Sequence, residues 1–236
     1  MKQGIFVVGT DTNVGKTVVA AGLALVLRKR GLRVGVMKPI ASGCKQVGNT
    51  LVSLDAVFLM EAAENQFSAL TNPIRLKEPL APSVAAEIEG REVNVQKVSF
   101  AFRELQKNYD FVIVEGIGGL LVPLGTDYYV SDLVRSLHLS VLIVGRISLG
   151  TINHTLLTVE ALRARGIAIE GIVLNGLDPR SSSLAELTNP KVIETLSKVR
   201  ILGVLPQIEM LSVDACAFGN LCDVFEKNIN IEPLLS

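Results

Sequence analysis

The sequence has no tryptophan, and aromatic residues make up only 5% of its 236 positions. Its core must be built from Val, Ile, Leu and Ala, within a hydrophobic fraction of 49%. That palette favours buried parallel strands covered by helices. Neither charge is in excess: 23 basic and 23 acidic side chains cancel, and no run of one sign stands out. A nucleic-acid binder ordinarily carries a basic face to neutralise phosphates, so no such partner is expected. Cysteine is scarce and odd in number, at Cys44, Cys216 and Cys222, which argues against a disulfide framework and fits a reducing compartment. Two histidines, neither at ligand spacing, argue equally against thiolate or imidazole metal chemistry. Long apolar runs are missing too. Ile5–Val8 is a strand's length, too short for a secretory leader or a transmembrane span, so a soluble cytoplasmic protein with no membrane partner is expected. No repeat and no Gly/Ser linker interrupts the chain, whose length suits one domain over residues 1–236.

What is present is alternation. Short β-branched runs at Ile5–Val8, Val34–Met37, Phe111–Val114, Val141–Val144, Ile172–Leu174 and Ile201–Val204 read as strands. Between them, helical spacing covers about Gly15–Arg30 (stopped by Gly31), Leu51–Ala63, Ser83–Glu89, Val95–Lys107 and Ile152–Arg165, with Val192–Lys198 and Leu221–Ile229 completing the series. Leu76–Pro82, with Pro79 and Pro82, reads as a loop. This is βαβ order, which predicts an α/β fold: a mostly parallel central sheet flanked by helices on both faces. Ligands of such sheets bind beyond the carboxyl ends of the strands, so residues just past each strand are the ones to inspect.

The first strand runs into Gly9-Thr10-Asp11-Thr12-Asn13-Val14-Gly15-Lys16-Thr17, and Gly15-Lys16-Thr17 opens a helix. Successive N–H groups in such a loop, with the helix N-terminus, bind phosphate oxygens. Lys16 would reach the β- and γ-phosphates of a nucleotide and the Thr17 hydroxyl would ligate Mg²⁺, which makes the protein a P-loop NTPase by expectation, ATP its co-substrate. Counting back from Gly15, Thr10 holds the usual place of the first glycine, and the glycine stands one residue earlier.

Other strand ends supply charge. Phe111–Val114 ends in Glu115, the arrangement by which P-loop proteins hold Mg²⁺ opposite the loop, and Gly116, Gly118 and Gly119 permit close backbone approach. Asp55 offers a second carboxylate or a mere helix-dipole partner. Lys38 ends the second strand and would face the same crevice as Lys16, either as a catalytic cation or as a surface lysine. Ser42-Gly43 follows as an anion contact or an ordinary turn. Gly150-Thr151-Ile152-Asn153 opens a helix whose free N–H groups could hold a carboxylate, unless Thr151 or Asn153 caps it. Asn175 could read a base edge or cap a turn. His138 and His154 read as helix residues without special chemistry, and the cysteines as packing residues.

Taken in order, the phosphate loop, Lys38-Pro39-x-Ala41-Ser42-Gly43, Asp55-Ala56, Asn72-Pro73, Glu78-Pro79-x-x-Pro82, Glu115-Gly116-x-Gly118-Gly119 and Leu149-Gly150-x-Ile152-Asn153-His154 resemble the dethiobiotin synthetases. The likeness runs from Gly9 to Asn175 and weakens beyond, and the shifted Gly9 is the form that family uses. The resemblance implies an ATP-dependent cyclo-ligase of biotin biosynthesis. Its substrates would be 7,8-diaminononanoate, CO₂ or bicarbonate, and MgATP, joined through a phosphorylated carbamate to give dethiobiotin, ADP and phosphate. It implies Lys16 and Lys38 as catalytic cations and Thr17, Asp55 and Glu115 as metal ligands. Nucleotide contacts are implied at Asn13, Val14, Gly15, Lys16, Thr17, Val18, Asp55, Glu115, Gly116, Ile117, Gly118, Asn175, Gly176, Pro206, Gln207 and Ile208. Thr12 and Ser42 would meet the diamine or carbamate. The substrate carboxylate would lie on Gly150, Thr151, Ile152 and Asn153 of a partner subunit, which makes a homodimer with the substrate site at its interface. Three positions depart: Asn13 where glutamate is common, Gly176 where an acid is common, and Ser53-Leu54-Asp55 in place of an adjacent Ser-Asp pair.

The main rival is a ParA/MinD-like regulatory ATPase of the same fold. Those proteins carry an extra lysine early in the loop, where this chain has Asp11, and need a membrane- or DNA-binding surface, which a tail with Lys227 as its one basic residue does not supply. An amidating ligase of cobalamin synthesis would need an attached glutaminase, for which the chain is too short. A non-catalytic nucleotide-binding module fits poorly with both Lys16 and Glu115 in place.

Overall fold

Strands buried on both faces must be apolar at every position, and Gly4–Gly9 (β1) is buried throughout. The computed structural model describes residues 4–65, 69–180 and 183–235. With β1, the strands Val34–Met37 (β2), Phe111–Gly119 (β3), Val141–Arg146 (β4), Ile169–Leu177 (β5) and Ile201–Pro206 (β6) form a six-stranded sheet in the order β6-β5-β4-β1-β3-β2. Every neighbouring pair is parallel. The chain fills one side of β1 with β3 and β2 and then crosses to the other with β4, β5 and β6. That switch opens a crevice at the carboxyl end of β1.

The period of two along each strand sorts side chains between two layers. Ile5, Val7, Phe111, Ile113, Leu142 and Val144 pack with Lys16–Lys29 (α1), Leu54–Ala63 (α2) and Leu221–Asn228 (α8), through residues such as Leu23, Phe58 and Phe225. Phe6, Val8, Val112, Val114, Val141 and Ile143 face Pro82–Ile88 (α3), Val95–Asn108 (α4), Val130–Ser136 (α5), Thr151–Ala164 (α6) and Leu184–Ser197 (α7). A short helix, Glu232–Leu235 (α9), closes the chain and adds Leu234 to the α1 layer. Each fully buried Leu, Ile or Phe contributes roughly 1.5–3 kcal/mol relative to exposure, so the layers hold the strand ends rigidly. Among the described residues no helix is long and apolar enough to cross a membrane.

Four local expectations change. The helix expected from Leu51 begins at Leu54, because Thr50–Val52 pairs antiparallel with Lys45–Val47. Ser53 caps it, accepting from the Ala56 N–H at 3.3 Å. The helix expected at Val192–Lys198 starts at Leu184, behind a Ser183–Glu186 capping box, with Pro190 inside it. Residues between Gly119 and Val141, where no element was expected, form a hairpin (Pro123–Gly125 with Tyr128–Tyr129) and α5. His138 lies beyond α5 in a left-handed turn (φ 53°), so it is not a helix residue.

Candidate active site

The phosphate loop joins β1 to α1 with two left-handed residues, Asn13 (φ 57°) and Gly15 (φ 94°). Gly15 is required twice over, since a Cβ there would lie 2.0 Å from Asn175 Nδ2. No side chain caps α1 and its first turn holds no acid, so its N–H groups stay open to an anion. Asn175, at the end of β5, donates from Nδ2 to the Val14 carbonyl at 3.0 Å. Arg146, at the end of β4, donates to Asp11 Oδ2 at 3.0 Å and to the Thr12 carbonyl at 3.1 Å.

Behind the loop sits a charge cluster built on buried Lys38 and Glu115 and half-buried Asp55. Lys38 Nζ lies 2.6 Å from Glu115 Oε1, 2.9 Å from Asp55 Oδ2 and 3.3 Å from the Gly116 carbonyl. Thr17 Oγ1 donates to the same Glu115 Oε1 at 2.8 Å. Lys38 is 3% exposed, which decides between its two readings: it is no surface lysine. Asp55 likewise does more than complement a helix dipole, since it pairs with Lys38. Burial works against the Lys38 charge, but Glu115 and Asp55 outweigh it and hold the ammonium above the ordinary lysine value. For Glu115 burial dominates and pushes the carboxyl up against the pull of Lys38. Asp55 feels burial as well, yet Lys38 holds it below the usual carboxylate range. Lys16, buried and donating to the Asp11 carbonyl at 3.0 Å, is lowered to about 8, chiefly by desolvation.

These groups line a crevice of about 640 Å³, walled by Thr12, Asn13, Gly15, Lys16, Thr17, Val18, Lys38, Ser42, Asp55, Glu115, Ile117 and Gly118. The structure thus brings together most of the residues the sequence singled out. Gly116 joins them through its carbonyl. Gln207 and Ile208 line a neighbouring recess of about 450 Å³ with Asp178 and Asn220, and the Gln207 side chain reaches the Gly176 carbonyl at 3.3 Å. Pro206 ends β6 beside Leu177. The helix start Gly150–Asn153 is not part of the crevice wall of its own chain. Gly150 (φ 94°) is the N-cap and no side chain caps α6, so capping by Thr151 or Asn153 is ruled out; Thr151 faces Thr155 instead. Asp214 and Val213 also line the crevice, and Asn72 donates to the Lys38 carbonyl at 2.6 Å. Of these, only Asn72 carried a sequence signal, within its Asn-Pro pair.

The donor set suits a hard cation. Glu115 Oε2 is buried without a partner, and Thr17 Oγ1 and Asp55 stand around the same lysine. Magnesium keeps to oxygen ligands and binds through one or two carboxylates plus substrate phosphates. Among the described residues no group of three or more His, Cys, Asp or Glu side chains could hold a metal by itself, so phosphate would have to complete the set.

Comparison with known proteins extends this geometry. A family model described as an AAA domain matches residues 3–214. The ATP-dependent dethiobiotin synthetase of Thermodesulfovibrio yellowstonii is 42% identical over 244 residues, covering all of both chains. Those of Bacillus subtilis (strain 168) and Methanocaldococcus jannaschii are 42% and 38% identical, over 87% and 89% of this chain and 88% and 97% of theirs. The chain belongs to the ATP-dependent dethiobiotin synthetase family. Solved structures similar in fold include the cell division ATPase MinD of Pyrococcus furiosus (TM-score 0.53, 21% identity, covering 96% of this chain and 99% of that one). The ParA family ATPase of Chlorobium tepidum is comparable, at TM-score 0.55 and 19% identity over 89% and 86% of the two chains. At such identities the likeness shows the P-loop α/β fold alone. As a dethiobiotin synthetase family member, the chain is an ATP-dependent ligase, and the regulatory-ATPase alternative draws no support beyond that shared fold.

Proposed function

We propose that the chain joins 7,8-diaminononanoate and CO₂ at the expense of ATP, closing the ureido ring of dethiobiotin. The observation that carries this is the pair of buried lysines, Lys16 and Lys38, on one crevice with the Glu115–Asp55 carboxylates between them. One lysine suffices to hold a triphosphate. A second points to another anion arriving beside it, and carbamate is such an anion.

In the proposed sequence an amine lone pair attacks CO₂, its proton leaves to solvent, and a carbamate forms. The carbamate oxygen attacks the γ-phosphorus and ADP departs. The second amine then attacks the carbamoyl carbon and gives up a proton to solvent, phosphate leaves, and the ring closes. Lys16 would neutralise charge on the β- and γ-phosphates while Lys38 neutralises the carbamate. Preorganised charges of this kind are worth about 10²–10³ in rate each. Thr12 and Ser42 line the crevice where the diamine and carbamate would lie. Thr17, Asp55 and Glu115 would hold Mg²⁺, which supplies charge neutralisation at the phosphates when bound. Asn13, Val14, Gly15, Thr17 and Val18 would hold the phosphates, and Asn175, Gly176, Pro206, Gln207 and Ile208 the base side.

We read residues 1–236 as one cytoplasmic domain acting as a homodimer. The uncapped α6 start and the exposed Leu149 and Leu157 near it support a role for Gly150–Asn153 in the partner's substrate site. The deciding experiment measures ADP release with and without diaminononanoate plus bicarbonate. Release that requires the diamine is expected. Release indifferent to it, or appearing only with DNA or lipid, would favour the regulatory-ATPase alternative and sink the ring-closure reading.

A further inference from the structure

Two neighbouring strand ends grip alternate carbonyls of the phosphate loop. Arg146 donates to the Thr12 carbonyl at 3.1 Å, and Asn175 to the Val14 carbonyl at 3.0 Å. The two residues are register partners on β4 and β5. In a planar trans peptide the C=O and the following N–H point in opposite directions. Pulling the Thr12 and Val14 carbonyls toward the strand ends therefore turns the Asn13 and Gly15 N–H groups the other way, toward the anion cradle.

Arg146 also answers a charge problem. Asp11 is the only acid in the loop, and its carbonyl touches Lys16, the group that meets the β- and γ-phosphates. An unpaired carboxylate there would repel the incoming phosphate. Its Oδ1 accepts from the Thr12 N–H at 2.7 Å, and its Oδ2 from Arg146 at 3.0 Å. One guanidinium nitrogen, Nη2, makes both contacts, so the same group cancels the charge and fixes the apex in one bridge.

We propose that Arg146 is a positioning residue for the phosphate loop: by bridging the Asp11 carboxylate and the Thr12 carbonyl it turns the Asn13 and Gly15 N–H groups toward the bound phosphates and neutralises the loop's only acid. The triphosphate carries one more phosphate and more negative charge than the diphosphate, so loss of the guanidinium beside Asp11 weakens triphosphate binding more than diphosphate binding. The proposal rests on the ring-closure reading only for the identity of the second anion.

The test is direct titration of the full chain with MgATP and MgADP, alongside ring-closure kinetics. Arg146→Ala is expected to raise the ATP Kd about three- to tenfold, the scale of one nearby charge in a solvated site, and to leave the ADP Kd within about twofold. Adding Asp11→Asn to that variant is expected to bring the ATP Kd closer to wild type than to the single variant, which a general loss of structure would not do. Arg146→Lys, keeping the charge on a shorter side chain that reaches the loop less well, should fall between wild type and Arg146→Ala. Arg146→Ala binding ATP as wild type does, or losing ATP and ADP equally, overturns the proposal. So does a double variant as weak as the single one. Should the wild type show this binding pattern yet turn over no diamine, the ring-closure reading falls and the role of Arg146 stands.

Discussion

Lys38 Nζ and Glu115 Oε1 meet at 2.6 Å inside the protein, the lysine 3% exposed and the glutamate 1%. A buried pair of this kind is expensive to break, because removing one partner strands the other charge at a cost of about 3–5 kcal/mol. Lys38→Ala should therefore do two things at once. Ring closure should fall by about 10² or more, and the midpoint of thermal unfolding should drop by roughly 2–4 °C for each kcal/mol lost. Adding Glu115→Gln should restore much of the stability and none of the activity. Calorimetry on both variants, with turnover beside it, checks this. Equal stability of Lys38→Ala and wild type would mean that the pair does not hold in solution.

Lys16 gives a pH signature. Desolvation lowers it to about 8 in the free protein, whereas a triphosphate beside it favours the ammonium. The bound pKa is then the higher of the two, so binding takes up a proton as pH rises through 8, and ATP affinity declines from there upward. Titration at pH 8.5 in two buffers of different ionisation enthalpy should reveal the uptake, and at pH 6.5 it should vanish. A pH-independent affinity between 7 and 9 would contradict it. The same shift bears on the free fold. Between the folded value near 8 and the ordinary lysine value the unfolded chain binds more protons, so Lys16's contribution to stability rises with pH across that window and is at its least below it.

Much of this site is legible in the sequence because it depends on local chemistry. The phosphate loop, Glu115 after an apolar strand and Lys38 before Pro39 each lie within a few residues of a strand that the hydrophobic pattern marks. What does not show is long-range pairing. That Lys38 is a buried partner of Glu115, 77 residues away, follows from β2 lying against β3, and no local pattern states that. Arg146 is silent for the same reason: its partners, Asp11 and Thr12, stand 135 and 134 residues away across the β1–β4 pairing. The start of α2 is missed for a different one. Leu51 and Val52 extend the helical apolar spacing backward, but Ser53 caps the helix and the hairpin claims them.

Asn72 should act on Lys38 without touching ligand. It is 1% exposed and donates to the Lys38 carbonyl at 2.6 Å, while the Lys38 N–H donates to the Thr71 carbonyl at 2.7 Å. Asn72→Leu removes the donor and leaves that carbonyl unmet, a loss of about 1–3 kcal/mol in stability. The expected kinetic sign is a lower kcat with ATP affinity held within about twofold, since Lys16 and the loop are not involved. Fluorescent-nucleotide titration and steady-state kinetics separate the two, and a variant that lost ATP binding alone would remove Asn72 from the Lys38 side of the site.

Asn175 should set the choice of base. Its amide has one fixed orientation, because Nδ2 must donate to the Val14 carbonyl at 3.0 Å. That leaves Oδ1 as the free acceptor, suited to the 6-amino group of adenine and unsuited to the 6-oxo group of guanine, where two acceptors would face each other. An unmet or repelled polar group at such a contact costs about 1–3 kcal/mol, so ATP should bind at least about tenfold more tightly than GTP. Asn175→Ala should reduce that ratio below about threefold while weakening both nucleotides, because the loop loses its grip on Val14 at the same time. Binding constants for the two nucleotides in wild type and variant decide it. A preference that survives the substitution intact would move base selection to the Gln207–Ile208 recess on the far side of β5.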